Sequence, residues 1–271
     1  KDRRMQFPTY DVHYTGNPSR RVDIVLLPEG YTADEMDKFK ADCKLFAEGL
    51  FSLSPYKENQ DQFNIRAVLA PSQESGVDIP GEYIWKNTIL NSSFYTFDSE
   101  RYIMTYDNKS LRDLSANVPY DFIYIIANTQ KYGGGAIYNH YGISISGNLH
   151  AAKVYVHEFG HLFLGLGDEY VEVGSSYNDM YPTNVEPWEA NLTTLTNFNK
   201  KWKDMLDKDT PVPTTYDPQN PKKLGAYEGG GYVSKGVYRP RYDCLMNTLS
   251  GNDFCPVCTR AIKKQIDFYT R

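Results

Sequence analysis

The sequence predicts an α/β fold, taken broadly enough to include α+β: a mixed twisted sheet, one helix that carries the chemistry, and a loop-rich C-terminal part. Three observations point there. Strand-sized apolar runs alternate with helix signals through the first half of the chain. One helical segment, Val154 to Leu162, holds two histidines at helical spacing. After Gly167 the composition turns to Pro, Gly, Asn and Tyr.

Taken in order, Val22 to Leu27 reads as a buried strand. Thr32 with Glu35 three residues later forms a capping box that starts a helix running to about Leu50. Phe63 to Leu69 is a second strand, followed by a long stretch rich in Ser, Asn and Asp, with a short helix near Ser110 to Ser115. Phe122 to Ala127 is a third strand, the glycine triplet from Gly133 reads as a chain break, and Ile143 to Ser146 is a short strand before a helix that starts at Leu149. Further helices are expected from Asn197 to Leu206 and from Asp253 to the end. A boundary at Gly167 divides the chain into residues 1–167, which carry the two-histidine helix, and 168–271, which hold the final helix.

The 271 residues can bury a substantial core, and with 41% hydrophobic residues and well-mixed charges the chain belongs among globular proteins. A net charge of −5 with no long run of Lys or Arg excludes the basic footprint that grips phosphate backbones, so nucleic acid is not an expected partner. No apolar run approaches the length of a membrane span. The chain opens at Lys1 without Met or an apolar leader, which reads as a mature or trimmed piece of a longer precursor that could have lost a targeting peptide. The 23 Tyr and 13 Phe suit aromatic strand faces or, more sharply, an aromatic-lined groove for a polymeric substrate.

The chemistry centres on His157-Glu158-Phe159-Gly160-His161. Residues four apart on a helix share a face, which lets both imidazoles reach one Zn²⁺, while Glu158 stands beside them to take a proton from water. In a chain of this composition chance supplies that pattern about 0.004 times. The bland alternative, a solvated helix face, sits badly with the neighbours Val154, Val156, Phe159, Leu162 and Phe163, which mark a buried helix. A third protein ligand is needed, leaving one open position. Gly165 and Gly167 let the helix end and the chain fold back, so Asp168 is the first candidate, with Glu169 or a residue further along as alternatives.

This segment resembles the metzincin clan of zinc peptidases: a HExxH helix, a glycine turn, a third ligand soon after, and a Met-turn beneath the metal, here Cys244-Leu245-Met246-Asn247. More closely, the chain is similar to the IgA-peptidase family. The blocks that carry the likeness are Leu27 to Thr32, Ser72 to Asp78, His157 to Tyr170, Tyr227 to Tyr232, Val237 to Pro240, and Cys244 to Met246 with Phe254 to Cys258. Gly165 and Asp168 stand four and seven residues after His161, one more than is usual in the clan, so the turn must differ by a residue. Thr248 occupies the place where some clan members carry a transition-state tyrosine; Tyr242 and Tyr238 are the substitutes considered. The resemblance implies a metzincin-like catalytic domain in a secreted or cell-surface bacterial endopeptidase, extracytoplasmic, with a protein or glycoprotein substrate and immunoglobulin A as one substrate known in the family.

Cys244, Cys255 and Cys258 cluster near the C-terminus, whereas Cys43 reads as a small buried hydrophobe. A disulfide from Cys244 to Cys255 or Cys258 would tie the Met-turn to the last helix in an oxidising compartment. A structural metal requires four ligands, and only three thiols are local. Within the enzyme reading Glu158 is the general base and Ile143 to Ser146 a docking edge for an extended peptide. The competing classes are a protein- or glycan-binding module that has lost turnover, which retention of Glu158 disfavours, and a zinc hydrolase of non-peptide amides.

Overall fold

The computed structural model describes residues 6–147, 151–172, 180–250 and 253–271. Contacts divide the chain into two compact units, Lys1–Phe163 with Ile266–Arg271, and Leu164–Gln265.

The first unit is built on a six-stranded sheet in which β1 (Thr9–His13), β2 (Val22–Glu29), β3 (Phe63–Val68), β4 (Phe122–Ala127), β5 (Gly134–Ile137) and β6 (Tyr141–Ile145) are ordered β1-β3-β2-β4-β6-β5. β3, β2, β4 and β6 run parallel, while the outer strands β1 and β5 are antiparallel to their neighbours. Every residue of β2 and β4 is buried, which is why both read as continuous apolar runs; helices and loops cover parallel strands on both faces.

On one face lie α1 (Met36–Phe51) and α3 (Ala151–Leu164). The buried residues of α1 include Phe39, Cys43, Phe46, Ala47 and Leu50, a helical stripe. Phe46 packs against Tyr124, Tyr155 and Phe159 with ring centroids 4.8, 5.4 and 6.4 Å apart. Gly49 permits the close approach of the two helices, since a Cβ there would stand 3.0 Å from Cβ of Ala152. The opposite face, with Val25, Leu27, Ile123, Ile125 and Ile143, is covered by Leu111 and Leu114 of α2 (Asn108–Ser115) and by Leu90, Phe94 and Ile103 from the long stretch after β3.

That stretch has little regular structure, and it is held by polar contacts. Glu29, fully buried, accepts hydrogen bonds from Thr88 Oγ1 (2.7 Å) and from the backbone N–H groups of Leu90 (3.0 Å) and Ser92 (2.6 Å). Gly30 adopts φ +72°, and a side chain there would strike the carbonyl of Gly76; the Gly76 N–H donates to Gly30 O at 3.0 Å. The blocks Leu27 to Thr32 and Ser72 to Asp78 thus interlock to hold the fold together.

Several elements differ from expectation. The helix read from Asn197 to Leu206 is two 3-10 turns, Phe198–Lys200 and Lys203–Met205. Trp202, buried, donates from Nε1 to Gly225 O at 2.7 Å, and Lys201 Nζ donates to Glu189 O at 2.7 Å, contacts that a regular helix would misdirect. The glycine triplet opens β5 instead of breaking the chain, because side chains at 133 and 134 would collide with Arg101 O and Glu158. Leu149, where the active-site helix was expected to start, lies outside the described residues. The capping box holds: Thr32 N–H donates to Glu35 Oε2 at 2.9 Å before α1.

In the second unit β7 (Tyr227–Gly230) pairs antiparallel with β8 (Val233–Arg239); α4 (Pro256–Thr270), whose residues from Ile266 on belong to the first unit, starts at a proline, whose missing N–H costs a helix nothing in its first turn. Among the described residues no helix is long and apolar enough to cross a membrane.

Candidate metal centre

α3 is buried almost all round through Val154, Tyr155, Val156, Phe159, Gly160, Leu162 and Phe163, while His157, Glu158 and His161 are only partly buried and share the remaining face. The two imidazoles stand nearly perpendicular, at 85°, with centroids 4.8 Å apart and Nε2 facing Nε2 at 3.1 Å. Two imidazole nitrogens bound to one tetrahedral Zn²⁺ at roughly 2.0–2.1 Å would stand about 3.3 Å apart. The pair therefore fits a shared cation.

Glu158 lies against the first residue of β5. A Cβ on Gly134 would stand 2.9 Å from Glu158 Oε1, so the missing side chain at 134 makes room for this carboxylate. Burial pushes the Tyr124 hydroxyl far above its usual pKa and the Glu158 charge adds to the shift; Tyr124 Oη shares a 2.8 Å hydrogen bond with Ser144 Oγ. Sequence reasoning passed over Gly134, although a glycine run at the head of a strand is the recognised signal of close backbone or side-chain approach. It also took Ile143 to Ser146 as a docking edge. That strand, β6, is an inner strand between β4 and β5, and the outer strand beside Glu158 is β5.

Asp168 belongs to the second unit. Gly165 takes φ +63°, the left-handed conformation that lets a helix end, directly after the last residue of α3. Asn191 then clamps Gly167, accepting from its N–H and donating to its carbonyl at 2.8 Å each. A side chain at 167 would stand 2.5 Å from Leu192 Cδ1. Asp168 is buried, and Tyr232 Oη donates to its Oδ2 at 2.5 Å. Gly231 N–H donates to Asp168 O at 2.8 Å, and Tyr232 holds φ +72°, a conformation a non-glycine residue adopts only under local constraint. Tyr232 is a second residue that sequence reasoning missed, for want of any local signal across 64 positions. Of the tyrosines considered there, Tyr242 stacks on Tyr216 at 3.7 Å and Tyr238 pairs its backbone with Thr193.

Glu169 points elsewhere. It is fully buried, accepts from Asn191 Nδ2 at 2.9 Å, and its backbone N–H donates to Met246 O at 2.8 Å. Burial drives its carboxyl far above the usual range and the Cys244 sulfur beside it adds to the shift. Met246 is fully buried in a turn closed by Asn247 N–H and Thr248 N–H, both donating to Cys244 O. The disulfide expected from Cys244 is not made: Cys244 Sγ and Cys258 Sγ stand 3.9 Å apart and all four cysteines are free and buried. Cys43 is, as read, a buried apolar filler within α1.

A mixed α/β domain with the HExxH segment on α3 is consistent with a peptidase domain. The sequence matches the family model of IgA Peptidase M64 over residues 11–220 and 216–266, and the chain belongs to that family. No curated protein matches it.

Proposed function

We propose that the chain is a zinc-dependent endopeptidase of extracytoplasmic location that hydrolyses peptide bonds in extracellular proteins, with immunoglobulin A or other glycoproteins as the substrate class. The observation that carries this reading is the pair of Nε2 atoms 3.1 Å apart with Glu158 on the same helical turn. His157 and His161 are proposed as metal ligands, and Asp168, which follows the glycine turn after α3, as the third. Zn²⁺ bound there supplies Lewis acidity for the scissile carbonyl and for water.

The chain's own residues do the rest. Glu158 accepts the proton of the attacking water and passes it to the leaving amine. Tyr232 orients the Asp168 carboxylate, which would hold the metal, by donating to its Oδ2. β5 is the outer strand next to Glu158, so an extended substrate pairs along Gly135–Ile137, beyond the bridge that Tyr102 makes to Gly134.

The test separates proton transfer from metal binding. Glu158→Gln is expected to keep its fold and zinc while losing roughly 10²–10⁴-fold in turnover, because an amide cannot act as base. His157→Ala is expected to lose zinc and activity together. A folded, zinc-loaded Glu158→Gln protein that cleaves substrate near the wild-type rate would overturn the mechanism. A wild-type protein inert on all proteins but active on acetylated glycans would replace the substrate class.

A further inference from the structure

A second group of metal-ligating side chains lies wholly inside the Leu164–Gln265 unit. Glu169, Cys244, Cys255 and Cys258 are each fully buried, and one potential ligand atom from each lies within 4.8 Å of the others. Cys244 Sγ is 3.9 Å from Cys258 Sγ, and Cys258 Sγ is 3.5 Å from Glu169 Oε1. Around a tetrahedral Zn²⁺, with Zn–S about 2.3 Å and Zn–O about 2.1 Å, two sulfurs stand roughly 3.8 Å apart and a sulfur and an oxygen roughly 3.6 Å. Both separations fit. A disulfide at about 2.05 Å would use two of the three sulfurs and leave a thiol and a carboxylate buried beside it.

The surroundings are those of a thiolate site. Cys255 N–H donates to Cys244 Sγ at 3.3 Å and Cys258 N–H donates to Cys255 Sγ at 3.4 Å, so backbone amides stabilise charge on sulfur. Asn191 fixes Glu169 Oε1, while Oε2 is buried with no hydrogen-bond partner, a costly state for a carboxylate unless a cation answers it. Arg239 and Arg241, both buried, interact electrostatically with Glu169 and with Cys244 and Cys255 respectively, which moderates the negative charge of four anionic ligands.

We propose that Glu169, Cys244, Cys255 and Cys258 bind a structural Zn²⁺. All four positions are filled by protein, so the ion is closed to substrate. It ties together three segments: the extended segment that carries Asp168, the Met246 turn that accepts the Glu169 N–H, and the start of α4. On loading, the three thiols and the Glu169 carboxyl release their protons to solvent. The proposal does not depend on the catalytic reading of the histidines.

The experiment uses the full chain carrying His157→Ala and His161→Ala, prepared under reducing conditions. The double variant is expected to retain one zinc per chain, against two in the wild type. Exchange for Co²⁺ should give a sulfur-to-cobalt charge-transfer absorption, which an imidazole and carboxylate site does not produce. Adding Cys258→Ser should weaken that binding at least tenfold; should this triple variant not fold, the cobalt spectrum of the double variant decides. A double variant that binds no metal, whether its thiols all react after unfolding or two are lost to a disulfide, overturns the proposal. So does Co²⁺ binding without the charge-transfer band. Equal zinc content in wild type and double variant would instead count against the histidine site alone.

Discussion

Gly134 acts at the candidate centre through the side chain it lacks. A Cβ would come within 2.9 Å of Glu158 Oε1, and no positive φ forbids a side chain at that position, so Gly134→Ala changes the space around Glu158 and little else. Its kcat is expected to fall about 10–100-fold with zinc content unchanged, since small displacements of a catalytic group cost that much; an unchanged kcat would show that Glu158 is not held by this contact. Tyr232→Phe removes the 2.5 Å hydrogen bond to Asp168. It should weaken zinc binding about 10–100-fold, measured by competition with a chromogenic chelator. His157, Glu158 and His161 could be read from the sequence because one helical turn brings them together. Tyr232 could not, because its approach to Asp168 depends on the chain returning after 64 residues.

At the scale of elements, the helices stand on caps and close approaches that carry measurable energy. Asp107 caps α2: its Oδ1 accepts from Ser110 N–H at 3.0 Å and its Oδ2 from Ser110 Oγ at 2.7 Å. Partial burial raises the Asp107 pKa, but the two hydrogen bonds from Ser110 and the one from Asn91 outweigh it and hold the carboxyl below its usual value. A depressed folded pKa stabilises above the unfolded value near 3.8 and is lost as pH falls below it. Asp107→Ala should therefore cost about 1 kcal/mol at neutral pH and much less near pH 2, read by urea unfolding. A penalty equal at both pH values would refute the charged cap. Gly167→Ala should cost about 1–3 kcal/mol, because the new methyl meets Leu192 Cδ1 at 2.5 Å in a packed interior. The 3-10 turns at Phe198–Lys200 and Lys203–Met205 show the limit of local reading, since the side-chain contacts of Lys201 and Trp202 outweigh a weak helical preference.

At the scale of the whole molecule, the metallopeptidase class itself is open to test. A chelator should abolish hydrolysis by the wild type and lower its Tm, and added Zn²⁺ should restore both, since an ion that binds only the folded chain stabilises it by mass action. Activity that survives complete metal removal would exclude a metal-dependent reaction. Family membership across residues 11–220 and 216–266 gives peptidase chemistry, while the loops set which protein is cut.

By itself the sequence determined what repeats at short range. The strands β2, β3 and β4 follow from apolar runs of strand length, α1 from its capping box, and the histidine pair from a four-residue spacing on a helix. Only the tertiary structure decided which strand is outermost, why glycines stand at 30, 76 and 134, and what surrounds Glu169. Glu169 and Cys244 are 75 positions apart in the sequence, and no local propensity measures that distance. They meet because the segment after α3 hydrogen-bonds to the Met246 turn, and burial then sets a carboxylate and three thiols within 4.8 Å of one another.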